Sequence, residues 1–76
     1  MKDLLEFLTK SIVDYPQDII IEEKEEAGQI DLNLKSNPED IKIIIGKKGR
    51  TIKAIRELLK IRAIKEKKKI NFNLNQ

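Results

Sequence analysis

"IIIGKKGRTIKAI", residues 43–55, joins an apolar run to an amphipathic helical pattern through two glycines that enclose two lysines. A glycine takes the left-handed conformation that ends a helix at little steric cost, so Gly46 closes one helix and Gly49 lets the next begin within a few residues. The apex of this joint carries Lys47 and Lys48. Two ammonium groups beside main-chain N–H groups at the positive end of a helix dipole make an anion-binding arrangement. GKKGRT lacks the G-x-x-x-x-G-K-[ST] spacing of a nucleotide-binding P-loop, and G-x-x-G is too short for a dinucleotide fingerprint. Taken alone, the same four residues also fit a basic surface turn.

Working outward, "SNPEDI" starts the preceding helix, predicted over about 38–45: Asn37 can cap it, Pro38 suits the first helical position, and Glu39 and Asp40 favour the dipole's positive end. Downstream, Ile52, Ile55, Leu59 and Ala63 recur at i, i+3, i+7 and i+11, the core stripe of a helix over about 50–64. "KEKKK" interrupts, and Ile70, Phe72 and Leu74 alternate in a last strand over about 69–75. Towards the N-terminus, Met1, Leu4, Leu5, Leu8, Ile12 and Tyr15 share a face and predict a helix over about 2–14, closed by Pro16. Strands over about 18–26 and 30–36 form a hairpin in which Ile30, Leu32 and Leu34 face inward. Ile43 is expected to be an extra core residue rather than part of a groove floor. The order is αββααβ, and two helices between the second and third strands permit a parallel pairing with right-handed crossover. The expected class is α+β: a three-stranded mixed sheet covered on one face by three helices, in a single domain over 1–76.

With neither cysteine nor histidine in 76 residues, the chain lacks a disulfide framework, a thiolate metal site and the usual acid/base group at neutral pH. No pairing of side chains supports general acid/base or nucleophilic catalysis, so no enzyme activity, cofactor, metal or small-molecule substrate is expected. The formal net charge of +3 hides a division. Residues 1–41 hold four lysines and eleven acidic residues, whereas residues 42–76 hold twelve basic residues against Glu57 and Glu66 alone. Such segregation is the footprint of a protein that binds a polyanion on one side, and equally of a solvated basic helix. The opening MKDLLEFLTK has acids within its apolar pattern and no small-residue cleavage site, and no run approaches bilayer-spanning length, so a soluble cytoplasmic protein with no membrane contact is expected.

The stretch "IIGKKGRTIKAI", set between two helices, resembles the KH signature, I-I-G-x-x-G followed by isoleucines at three-residue intervals. The element order is that of the type II KH fold. In length, and in the opening "MKDLLEFLTKSIVDYP", the chain is similar to the small bacterial single-domain KH proteins of the KhpA (YlqC) family. The resemblance implies that Gly46, Lys47, Lys48 and Gly49 clamp the sugar-phosphate backbone of about four nucleotides of single-stranded RNA. Arg50 and Lys53 would add phosphate contacts, and bases would lie in a groove between the helices and a sheet edge. Ile44, Ile45, Ile52 and Ile55 would be scaffold. Family likeness also implies an RNA chaperone or post-transcriptional regulator, linked in some bacteria to cell-wall homeostasis and cell shape, that self-associates or pairs with a larger KH protein of the Jag (KhpB) type.

Base-stacking modules of other kinds rely on aromatic side chains. Here only Phe7, Tyr15 and Phe72 are available, and the patterns assign Tyr15 and Phe72 to the core. Arg56, Lys60 and Arg62 are expected to supply general attraction, and the lysines of KEKKK to be chiefly solvated. Ala54, Leu58 and Ile61 fall on a helical face turned away from the core stripe, which suggests a dimer interface. The alternative function is therefore a dimerisation module whose partner carries most of the RNA binding. Glu22, Glu23, Glu25 and Glu26 are expected on an exposed strand that discourages aggregation. Helix-turn-helix DNA binding is disfavoured, because the helix before the turn is short and the basic residues gather at the turn.

Overall fold

The computed structural model describes residues 1–75. Gln76, the last residue of the expected domain, lies outside the described residues. In chain order the elements are helix α1 (Lys2–Lys10), strands β1 (Ile20–Glu26) and β2 (Gln29–Lys35), helices α2 (Ile41–Ile45) and α3 (Arg50–Lys65), and strand β3 (Lys69–Asn75). Single 3-10 turns occupy Pro16–Asp18, Pro38–Asp40 and Lys47–Gly49. β1 and β2 pair antiparallel across the Ala27-Gly28 turn, and β2 and β3 pair parallel, giving a mixed sheet in the order β1-β2-β3.

Period-two alternation decides which sheet face is covered. Ile30, Leu32 and Leu34 of β2 are buried, and they stand opposite Ile70, Phe72 and Leu74 of β3. Against this face pack Leu5 of α1, Ile44 of α2, and Ile55 and Leu59 of α3, in one buried cluster. The intervening residues Asp31 and Asn33 of β2 and Asn71 and Asn73 of β3 leave the other face polar. On β1 only Ile21 is buried. Glu25, on the same side of that strand, reaches out to Lys68 at 2.7 Å. That hydrogen bond to a carboxylate raises the Lys68 pKa above its usual value.

Four expectations are corrected. The first helix ends at Lys10 rather than near residue 14: the Ser11 N–H still reaches Phe7 O, but the Ile12 N–H turns to Thr9 O at 3.2 Å and the ladder stops. Ile12 and Tyr15 consequently leave the helical face, and Tyr15 is 37% exposed instead of core. The Glu39 carboxylate beside its hydroxyl favours the neutral phenol and raises its pKa. The first strand begins at Ile20, since Pro16–Asp18 closes a 3-10 turn. The helix expected from 38 is a 3-10 turn followed by α2 over five residues, and within it Ile44 is fully buried while Ile43 stays half-buried outside the central cluster.

A buried carboxylate ties these segments together. Asp40 is fully buried, and its Oδ1 and Oδ2 accept the Asp14 and Tyr15 N–H groups, each at 3.0 Å. Asn37, just upstream, accepts the Glu39 N–H as a cap and donates to Asp18 at 2.9 Å. The connector after α1 is thus fastened to the start of α2 by three hydrogen bonds, each accepted by a carboxylate.

At the far end of α3, Lys68 N–H donates to Ala63 O at 2.9 Å and Lys67 N–H to Ile64 O at 3.0 Å. This is the Schellman closure, and its left-handed position is filled by Lys67 at φ +58°, where glycine is the usual residue. A side chain there costs about 1 kcal/mol. Lys67→Gly should therefore stabilise the protein by about that amount and raise its thermal midpoint by roughly 4–8 °C, as followed by circular dichroism. An unchanged or lowered midpoint would contradict the strain assigned to Lys67.

Candidate nucleic-acid interface

Between α2 and α3 the chain reverses within the turn Lys47–Gly49. Gly46 N–H closes α2 on Lys42 O at 2.8 Å, and Gly49 N–H bonds Gly46 O at 3.1 Å. Gly46 sits at φ +78° and Gly49 at φ +74°. The two glycines are required for different reasons. A Cβ on Gly46 would overlap the Thr51 side chain and lie 2.8 Å from the Thr51 nitrogen, whereas a Cβ on Gly49 would meet nothing within 4 Å. Gly46 thus permits a close approach, and Gly49 only a left-handed backbone.

Lys48 also holds a positive φ, +56°, so the apex keeps a lysine where glycine would be less strained. Lys47, Lys48, Arg50 and Lys53 are all exposed. The turn's own bonds run from Gly49 N–H to Gly46 O and from Arg50 N–H to Lys47 O, which leaves the N–H groups of Lys47 and Lys48 outside the main-chain hydrogen bonding of the described residues. Of the basic half of the chain, only Arg62 and Lys68 reach a carboxylate within 4 Å among the described residues. The loop cations are therefore uncompensated.

Further along α3 a groove runs between this helix and β3, which is an edge strand. Its first part, a hollow of about 420 Å³, is lined by Arg56, Glu57, Leu59 and Lys60 on the helix and by Ile70–Asn73 on the strand. Arg56 bridges the two walls, with its guanidinium 5.6 Å from the Phe72 ring centroid and a donor 3.5 Å from Phe72 O. That carbonyl faces the groove, and strand geometry turns the N–H and C=O of one residue to the same side, so the unpaired edge offers hydrogen-bonding groups to an occupant. Lys53, Arg56 and Lys60, spaced i, i+3 and i+7, form one basic stripe along this wall.

The structure brings Gly46, Lys47, Lys48, Gly49, Arg50 and Lys53 together at the loop and the first turn of α3. Arg56 and Lys60, expected to supply general attraction, both line the groove. Their helical spacing from Lys53 is the signal that could have identified them. The expected interface residues Ala54, Leu58 and Ile61 are exposed on the outer side of α3, Leu58 at 46% and Ile61 at 53%. Phe7 of α1, 69% exposed, was not anticipated there. An Asp3–Arg62 ion pair at 3.7 Å ties the start of α1 to the last turns of α3. Among the described residues, no three acidic side chains gather as a metal site and no helix is long and apolar enough to cross a membrane.

Element order, sheet topology and a glycine-bounded basic turn between the second and third helices define a type II KH domain. The sequence profile of the family "KhpA/KhpB, KH domain" matches residues 2–74, and the chain belongs to that family. Relatives include the RNA-binding protein KhpA of Clostridium perfringens, 49% identical over 70 residues that cover 92% of this chain and 93% of the relative. The protein of the same name from Clostridium acetobutylicum is 46% identical over the same shares. That of Chlamydia trachomatis is 38% identical over 97% of this chain and 95% of its own. The family is one of binding proteins rather than enzymes.

The two glycines should respond unequally to substitution. Gly49→Ala should cost about 1–2 kcal/mol, the price of a left-handed alanine. Gly46→Ala adds a clash with Thr51 and should cost about 3 kcal/mol or more. Urea denaturation of both variants measures the difference, and equal costs would contradict the close approach at Gly46.

Proposed function

We propose that this chain binds single-stranded RNA, with the GKKG loop gripping the phosphate backbone and the α3–β3 groove receiving the bases. The carrying observation is the loop itself: two exposed, unpaired lysines beside free main-chain N–H groups, one of the lysines held in a strained conformation. The printed names of the relatives, RNA-binding protein KhpA, support the same ligand. In this reading Gly46 and Gly49 shape the turn, Lys47, Lys48, Arg50 and Lys53 meet phosphates, and Arg56 and Lys60 extend the basic wall. Bases lie against aliphatic side chains and hydrogen-bond the free edge of β3. Because the main contacts are lysine–phosphate pairs, affinity is modest, strongly salt-dependent and weakly sequence-specific.

A cytoplasmic RNA chaperone or post-transcriptional regulator fits such a module, acting on RNAs that bear on cell-wall homeostasis and cell shape. A second copy of the chain, or a larger KH protein of the KhpB type, would cover Ala54, Leu58 and Ile61. Joining two weak sites raises the effective concentration of the second and offsets modest single-site affinity. The exposed apolar face also supports a second reading, a dimerisation module whose partner carries most of the RNA binding.

Two variants separate these readings. Replacing both Lys47 and Lys48 by Asp should lower affinity for a short oligouridine by about 100-fold or more, and reduce the slope of log K against log salt by about two. Unchanged binding would exclude the loop as the clamp. Ile61→Asp should remain folded, because the position is exposed, and elute as a monomer in size-exclusion chromatography with light scattering; a surviving dimer would place the interface elsewhere.

A further inference from the structure

Past the first hollow the groove continues into a second, of about 450 Å³, and the two share Lys60 and Ile70. The second is lined by Lys60, Ala63, Ile64, Lys68, Lys69 and Ile70. Its surface is the most apolar part of the groove: Ala63 is buried, Ile70 is half-buried, and Ile64 is 64% exposed although it is a large aliphatic residue. Around that apolar floor stand three lysines. Lys68 is engaged by Glu25 at 2.7 Å, but Lys60 and Lys69 reach no carboxylate within 4 Å among the described residues. The wall is fixed at both ends, since Lys68 N–H is bonded to Ala63 O and Lys69 N–H to Gly28 O, each at 2.9 Å.

An exposed aliphatic surface bordered by unengaged cations matches a nucleobase attached to its phosphates: the flat apolar face of the base finds the isoleucines, and the charge finds the ammonium groups. Ile64 lies fifteen residues beyond Gly49 on α3, roughly 22 Å along the helix axis. A strand held at the loop must run past the first hollow to reach it. We propose that this distal hollow is an additional base subsite, with the base against Ile64 and Ile70 and phosphates between Lys60 and Lys69, and that it lengthens the RNA footprint beyond the roughly four nucleotides a GXXG loop clamps. The proposal rests on the RNA-clamp reading.

The test is fluorescence anisotropy of end-labelled four- and eight-nucleotide oligouridines against the wild-type chain, Ile64→Glu and the Lys47→Asp, Lys48→Asp double variant. Ile64 is exposed, so its substitution leaves the fold intact, as circular dichroism checks. Ile64→Glu should bind the eight-nucleotide strand about tenfold more weakly than wild type and the four-nucleotide strand equally well. Equal binding of both strands by Ile64→Glu and wild type would overturn the subsite while leaving the clamp standing. A loss of the same size on both strands would place the hollow inside the four-nucleotide site and overturn the longer footprint. A change of oligomeric state in Ile64→Glu would assign the residue to a protein interface and likewise overturn it. If the double variant binds both strands as wild type does, the clamp reading itself fails, and this proposal with it.

Discussion

The loop depends on one missing side chain. Gly46 at φ +78° lets Thr51, at the start of α3, come so close that no Cβ could stand between them. This contact sets how sharply α3 departs from α2, and hence the direction in which Lys47 and Lys48 project. The proposed anion grip rests on that reversal, because it exposes two main-chain N–H groups and two ammonium groups together. Gly49 contributes only conformational freedom there. The two glycines look equivalent in the motif but carry different physical burdens.

Such a reversal needs a firm base, and α2 is too short to supply one alone. A five-residue helix has no independent stability in water, since nucleation consumes more entropy than its few hydrogen bonds return. It is held by Ile44 in the core and by the Asp40 carboxylate, which takes two main-chain N–H groups from the connector after α1. Hydrogen bonds to a charged acceptor contribute about 1.5–3 kcal/mol each, and no buried side-chain polar atom is left without a partner among the described residues. The first fifteen residues thus act on the loop at a distance: they clamp the start of the helix whose end forms it.

Much of this was legible in the chain. Alternation of Ile30, Leu32 and Leu34 marked the covered sheet face, and the stripe Ile52, Ile55, Leu59, Ala63 marked the inner side of α3. What the periodicities could not show was where local hydrogen bonds would override them. The Ile12 N–H turns to Thr9 O and α1 stops early, and Asp40, which as a sequence letter looked like a favourable charge at a helix start, is a buried receptor for a distant segment. At the site, the loop was readable because glycine spacing encodes backbone geometry directly. The groove was expected only through the resemblance, and the residues that line it were not legible, since Arg56 and Lys60 stand beside β3 through tertiary pairing.

The division of charge along the chain becomes a division in space, with acidic residues along β1 and the uncompensated cations on the loop and the groove wall of α3. A polyanion would meet one side and be repelled by the other. The most direct measurement of the central claim is a titration of nitrogen-15-labelled protein with a short single-stranded RNA, following each amide by two-dimensional NMR. The account predicts that the largest shifts fall on Lys47, Lys48, Gly49 and Arg50 and continue along the α3–β3 groove, with the open sheet face unmoved. Shifts confined to the outer face around Leu58 and Ile61, with the loop amides silent, would contradict it.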